Sequence, residues 1–184
     1  LKINKVNFFT DISNYLNYEI GHPTHCYDLS KISGEISFEK LHIDSSFKTI
    51  HGKLIDLNKN DNVFKCNGNV IALAGIMGGY STACDENTRS VLVECAYFNP
   101  ESISGKATKY KLSSDAAYKF ERGVDPLSNN DVLRRYIKIV EDHANIKSLK
   151  IKHYNFNKFL KVYIENDHER INTILGTKIE RKAH

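Results

Sequence analysis

The chain has 184 residues, 41% hydrophobic and 26% charged, enough for one sizeable globular core and part of a second, which excludes an intrinsically disordered protein. Its net charge of +4 and pI of about 8.8 are spread along the chain without a block of like charges. Such a balance permits a nucleic-acid partner without demanding one.

No apolar run approaches the roughly 18 residues that a membrane span needs, and the N-terminus has no charged segment followed by an apolar one. The expectation is therefore no membrane, no signal peptide and a cytoplasmic location. The start at Leu1 and the charged Lys-Ala-His end suggest a piece of a longer protein. Cys26, Cys66, Cys84 and Cys95 lie far apart with no C-x-x-C pair, so reduced and mostly buried thiols are expected.

From Val6 to Ile20, Phe8, Phe9, Ile12, Tyr15, Leu16 and Ile20 recur at helical spacing, which predicts a short helix ending at Gly21. Pro23 then forces a rigid corner. From Ile36 to Ala74 the period changes to two. Phe47 and Thr49 before His51-Gly52, with Leu54 and Asp56 after it, predict a hairpin, and Val63–Cys66, Asn67-Gly68-Asn69 and Val70–Ala74 predict a second one. Another strand is expected over Val91–Phe98.

Pro100 is a plausible first-turn residue of a helix, and Ser114-Asp115 can open the next, running to Gly123. Ser128 reads as an N-cap for a helix with Val132, Leu133, Tyr136, Ile137 and Val140 on one face and Arg134, Arg135 and Lys138 on the other. Strands are expected over Leu149–Tyr154 and Val162–Ile164, and a short helix around Arg170–Leu175. Asn155–Lys161 is the candidate domain boundary.

Three stretches place polar or turn residues among apolar ones, and we expect them to wall one pocket: Gly21–Asp28, Gly75–Gly79 and Val91–Phe98. In a strand Leu92, Glu94, Ala96 and Phe98 share a face, so Glu94 needs a partner. It reads equally as a solvent-facing or lysine-paired acid and as a carboxylate that recognises a ligand. Gly75, Gly78 and Gly79 fit no phosphate-binding motif and read as a tight turn, a bulge or a close backbone approach. His22, His25 and Cys26 are near one another, but Pro23 intervenes and no second cluster exists, so no metal is expected. Ser113 and Ser114 read locally as caps. There is no recognisable nucleophile motif, so an enzyme of this sequence would use water.

Asp11–Tyr15, Gly21-His22-Pro23-Thr24-His25-Cys26-Tyr27-Asp28, Gly75-Ile76-Met77-Gly78-Gly79, Glu94–Pro100 and Phe120–Pro126 together resemble the B3/B4 region of the β subunit of bacterial-type phenylalanine-tRNA ligase, in order from about residue 4 to 150. Arg170-Ile171-Asn172 and Leu175-Gly176 are similar to the start of the B5 domain that follows. The resemblance implies an α+β fold, with mixed sheets and helices packed on one side in β/β/α layers, over residues 1–155, and a linker with a truncated B5 start over 156–184.

It also implies an editing module that hydrolyses tyrosine wrongly esterified to the phenylalanine tRNA. On this view Glu94 reads the tyrosine hydroxyl, Pro23 and His25 shape the wall near the ester, Gly78 is the close-approach glycine, and Ser114 and Ala116 border the amino-acid ring. Water attacks the ester, with His25 and Gly78 orienting it. Implied partners are the tRNA(Phe) 3′ end carrying Tyr and the synthetase α subunit in an α2β2 heterotetramer. No cofactor is expected in this chain, ATP and magnesium belonging to the whole enzyme.

Two positions depart from the family pattern. Ser114 stands where Thr is usual, which predicts a slightly looser pocket, and Asn4 stands where Arg is frequent, which would remove a positive contact to the tRNA end. The alternative function is a non-catalytic structural or tRNA-end binding module that has lost editing, which Asn4 favours.

Overall fold

The computed structural model describes residues 5–154 and 163–180. Helix α1 spans Phe8–Glu19, and its first turn is capped by Asn7, whose side chain accepts from the Thr10 N–H at 3.0 Å. Ile12 and Leu16, one turn apart, are buried, and Gly21 at φ +82° takes the chain out of the helix. Strand β1, His25–Asp28, follows the Pro23 corner.

Strands β2 (Ile36–Lys40), β3 (Ser45–Lys48), β4 (Leu54–Leu57), β5 (Asn62–Cys66), β6 (Asn69–Leu73) and β7 (Met77–Gly78) occupy the middle of the chain, and β8 is Val91–Glu94. Both expected hairpins form. β3 pairs with β4 across a turn in which Gly52 sits at φ +81°, and β5 pairs with β6 across Asn67 (φ 48°) and Gly68 (φ 78°). Two successive positive φ values are what a tight two-residue hairpin turn requires, and Asn-Gly adopts them at low cost.

All pairings are antiparallel. The order β2-β5-β6-β7 makes a four-stranded sheet, and β3-β4 and β1-β8 make two-stranded ones. Helices α2 (Pro100–Ile103), α3 (Lys106–Lys109), α4 (Asp115–Phe120), α5 (Asn129–His143) and α6 (His168–Leu175) complete an α+β fold.

The main core joins Phe47, Ile55 and Leu57 of the β3–β4 hairpin, Val63 and Leu73 of the four-stranded sheet, and Phe98, Ile103, Ala117 and Phe120 from the helical segment. A second cluster packs Ile12 and Leu16 of α1 against Val132 and Tyr136 of α5, with Cys26 between them. Arg135 closes that helix pair on the outside, donating to both carboxylate oxygens of Glu19 at 2.9 and 2.8 Å. All four cysteines are free thiols.

By its contacts the chain divides into units 1–150 and 151–184. In the second, α6 is capped by Asp167, which accepts from the Glu169 N–H at 3.0 Å, and ends at Gly176 with φ +64°. The expected boundary at 155–161 lies outside the described residues.

Four expectations are corrected. β8 stops at Glu94 rather than running to Phe98, because its partner is β1: His25 lies opposite Glu94, and continuing that register would set Ala96 against Pro23, which has no N–H to give the ladder. Residues 149–154 form no strand; Leu149, Ile151 and Tyr154 are exposed, and among the described residues no strand pairs with this backbone, without which apolar alternation does not make a strand. Tyr163 and Ile164 are likewise exposed and outside any strand, while Val162 is not among the described residues. Ser128 does precede α5 but makes no side-chain cap; its hydroxyl is engaged by His22 and the Asp125 carbonyl.

Candidate functional site

β1 and β8 place the two groups with the strongest chemistry opposite each other. His25 and Glu94 are Cα partners in the ladder, and Tyr27, two residues on from His25, shares its face. The Tyr27 hydroxyl donates to Oε2 of Glu94 at 2.7 Å, and the Tyr27 ring stands edge-on to the His25 imidazole with centroids 4.5 Å apart. The protein partner of the half-buried Glu94 is thus an internal tyrosine rather than a lysine.

Burial dominates the electrostatics. It pushes the Glu94 carboxyl up to about 7, against the opposing effect of the Tyr27 hydrogen bond, and drives His25 down to about 4. Near neutral pH the imidazole is therefore uncharged, able to accept one hydrogen bond and donate another. The carboxyl is divided between its ionised and protonated forms. Burial also raises the Cys95 thiol to about 12 and lifts Cys26.

The third component is β7. A Cβ built on Gly78 would lie 2.3 Å from Cε1 and 2.6 Å from Nε2 of His25, so the imidazole occupies the volume that any side chain here would fill. Gly79 is bare for a different reason, since its Cβ would fall 2.5 Å from the carbonyl oxygen of Ile71. The β3–β4 turn also holds this strand: Ile50 N–H donates to the Gly78 carbonyl at 3.0 Å, and Thr49 bridges to Gly79.

These groups open onto a small cavity that is partly open to solvent. Pro23, Thr24, His25 and Tyr27 line it from the β1 side, Ala72, Leu73 and Gly75 to Gly78 from the β6–β7 hairpin, Glu94 from β8, and Ala116 and Phe120 from α4. Ala116 and Phe120 are one helical turn apart and so face it together. The pocket is mostly apolar with a few convergent polar groups, the pattern of a small-molecule site. The Thr24 hydroxyl is buried on this wall without a protein partner.

Of the residues singled out in the sequence, His25, Gly78, Glu94, Pro23 and Ala116 meet at this cavity. Ser114 does not line it. It caps α4, its Oγ accepting from the Ala117 N–H at 3.1 Å, and so orients the helix that presents Ala116. Asn4 lies outside the described residues. Thr24 and Tyr27 fall in the stretch expected to wall the pocket but were given no role of their own, and Phe120 was not placed in it. The period-two relation of Tyr27 to His25 is the signal that would have given Tyr27 a role.

His22 points elsewhere. It is 2% exposed, its Nε2 is 3.1 Å from the Ala96 carbonyl and its Nδ1 2.9 Å from Ser128 Oγ, so it joins the segment after β8 to the start of α5. Cys26 points into the α1–α5 core, with Sγ 3.1 Å from Ser13 Oγ and 3.2 Å from the Tyr136 hydroxyl. His22, His25 and Cys26 therefore do not converge, and among the described residues no three His, Cys, Asp or Glu side chains are grouped to hold a metal ion. Among those residues no helix is long and apolar enough to cross a membrane.

The α+β domain thus holds a small cavity at which one acid and one neutral imidazole face each other across the β1–β8 ladder. Residues 1–145 match the model of the B3/4 domain, and the chain belongs to that family. It is 34% identical over 95% of its length to the phenylalanine–tRNA ligase beta subunit of Burkholderia lata, of which it covers 22%. With the corresponding subunit of Legionella pneumophila it shares 41% identity over 71% of the chain and 16% of the relative, and with that of Leifsonia xyli 39% over 77% and 17%. The chain thus spans about a fifth of the length of these relatives.

Proposed function

We propose that this chain is an editing module of a phenylalanine-tRNA ligase β subunit, which hydrolyses tyrosine wrongly attached to tRNA(Phe). The observation that carries the reading is the placement of the Glu94 carboxyl in an apolar cavity beside His25 and Gly78. A phenol entering this cavity can donate a hydrogen bond to that carboxyl; a phenylalanine ring cannot. A hydrogen bond to a charged group contributes about 1.5–3 kcal/mol, which corresponds to roughly ten- to hundredfold selection.

An aminoacyl ester is already activated, so oriented water can suffice without a covalent intermediate. Neutral His25 is suited to hold that water by accepting one of its hydrogens. With a pKa of about 4 it is a weak base, which favours an orienting role over full proton abstraction. Gly78 leaves room for the imidazole and the ester to approach the strand. Pro23 fixes the corner from which His25 departs, Ser114 acts through the orientation of α4, and the Thr24 hydroxyl is a further donor toward the ester or the terminal ribose.

In the same reading the chain works within an enzyme that attaches phenylalanine to tRNA(Phe), beside an α subunit in an α2β2 assembly in the cytoplasm, with ATP and magnesium used elsewhere in that enzyme. Residues 156–184 begin the next domain. The internal Tyr27–Glu94 bond favours a second reading, a packing or tRNA-end binding module without hydrolysis, because a satisfied acid does not require a ligand. The two are separated by measuring Tyr-tRNA(Phe) deacylation by the full subunit assembly, wild type against Glu94→Ala. Faster loss of Tyr than of Phe, with the difference abolished by the substitution, supports editing. Equal rates for both esters in the wild type would remove the role given to Glu94.

A further inference from the structure

The phenol of Tyr27 is chemically the same group that a bound tyrosine would offer to Glu94, and it is already in place. Its position is fixed: Tyr27 is 1% exposed, lies opposite Leu92 in the ladder, bridges to Ala83, and packs with Ile71 and Ala72. With Oε2 taken at 2.7 Å, a ligand hydroxyl has Oε1 to address.

We propose that Tyr27 is a specificity-determining residue of this pocket: it gives Glu94 a donor from within the protein, so the acid keeps a partner even when the bound amino acid has no hydroxyl. The proposal rests on the editing reading given above. Without Tyr27, a phenylalanine side chain would leave Glu94 desolvated and unpaired, and that penalty is what discriminates against it. With Tyr27 in place the difference between the two ligands is reduced to one additional hydrogen bond. Tyr27 therefore relaxes selectivity while fixing the carboxyl's orientation.

Among the described residues, the other titratable groups that face Glu94 supply no charge near neutral pH. His25 across the ladder is uncharged, since burial lowers it to about 4, and the thiols of Cys26 and Cys95 are protonated, since burial raises both. The Tyr27 hydroxyl is the group that stabilises the ionised acid; removing it moves Glu94 further toward the protonated form.

The test compares single-turnover deacylation of Tyr-tRNA(Phe) and Phe-tRNA(Phe) by the full subunit assembly carrying wild type, Tyr27→Phe, Glu94→Gln or both substitutions. Tyr27→Phe is expected to raise the Tyr-to-Phe rate ratio about tenfold, chiefly by slowing the Phe ester. Added to Glu94→Gln it changes the ratio no further, because the residue acts through the acid. The pH at which the wild-type ratio changes, near 7, moves upward in Tyr27→Phe, a displacement that a purely structural tyrosine would not cause. A ratio within twofold of wild type in an active Tyr27→Phe enzyme, or the same change of ratio in the Glu94→Gln background, overturns the proposal and leaves editing standing. A wild-type assembly no faster than buffer on either ester overturns the editing reading and this proposal with it.

Discussion

Replacing Gly78 by alanine puts a methyl group where the His25 imidazole now lies. The added carbon would sit 2.3 Å from Cε1 and 2.6 Å from Nε2 of the ring, and 3.2 Å from Cγ2 of Ile50. Separations below 3 Å between carbon atoms are not tolerated, so the ring has to leave its place between Gly78 and Tyr27. Overpacking of this kind costs about 1–3 kcal/mol. A displacement of a catalytic group by an ångström lowers a rate by about a hundredfold. The expectation is a folded protein with a modest loss of stability and a large loss of Tyr-ester hydrolysis.

Gly79→Ala separates this effect from a general intolerance of the strand. There the methyl meets the Ile71 backbone carbonyl at 2.5 Å, which no side-chain rotation relieves, so the loss is of fold before function. Urea denaturation and deacylation rates measured together on Gly78→Ala, Gly79→Ala and Gly78→Ala/His25→Ala read the difference. In the double variant the clash is absent, so its stability should exceed the sum expected from the two single changes. If Gly78→Ala retains wild-type stability and hydrolysis, His25 does not occupy the space over Gly78 and the site's geometry is wrong.

Stability should depend on pH in opposite senses at Glu94 and His25. Glu94 is raised by burial from 4.5 to about 7, so its contribution is fully present below about 4.5 and is lost as pH rises through about 7; Glu94→Gln should gain up to about 3 kcal/mol relative to wild type above pH 8 in urea titrations. His25 is lowered by burial from 6.5 to about 4, so its contribution is present above about 6.5 and is lost as pH falls through about 4, and His25→Phe should flatten the acid side of the same curve. His22→Ala removes both ends of the link from Ala96 to Ser128 and leaves a buried gap, an expected loss of about 3 kcal/mol in the same measurement. Asp61, 2% exposed, accepts from Lys106 at 2.6 Å and from the Tyr110 hydroxyl and the Asn58 N–H; burial alone would raise its carboxyl, and these partners hold it below the usual range. Asp61→Ala leaves Lys106 without its ion pair and should lower the unfolding free energy by about 3 kcal/mol without altering the Tyr-to-Phe rate ratio.

What was legible in the sequence was local. The turns at Gly52 and Asn67-Gly68, the exit of α1 at Gly21, the helix start at Pro100 and the cap at Ser114 are set by residues adjacent to the feature they control. Glu94 could be singled out because an acid is unusual among its apolar neighbours, whereas Gly78 and His25 received their site roles from the family resemblance. The features that were not legible depend on pairing over distance. The end of β8 at Glu94 is dictated by Pro23, some seventy positions away in the chain, and the hydroxyl of Ser128 is diverted from its cap by His22. Leu149–Tyr154 has the pattern of a strand but pairs with none of the described strands. Glu94 was read correctly as an acid in need of a partner, yet only the register of β1 against β8 identifies that partner as Tyr27.

The central claim, that this pocket removes tyrosine from tRNA(Phe), is tested most directly by the time course of Tyr-tRNA(Phe) incubated with the full subunit assembly, beside Phe-tRNA(Phe) and beside each ester in buffer. The account predicts that the Tyr ester disappears well ahead of both the Phe ester and the buffer control. A Tyr ester that survives with the protein as long as it does in buffer would contradict it.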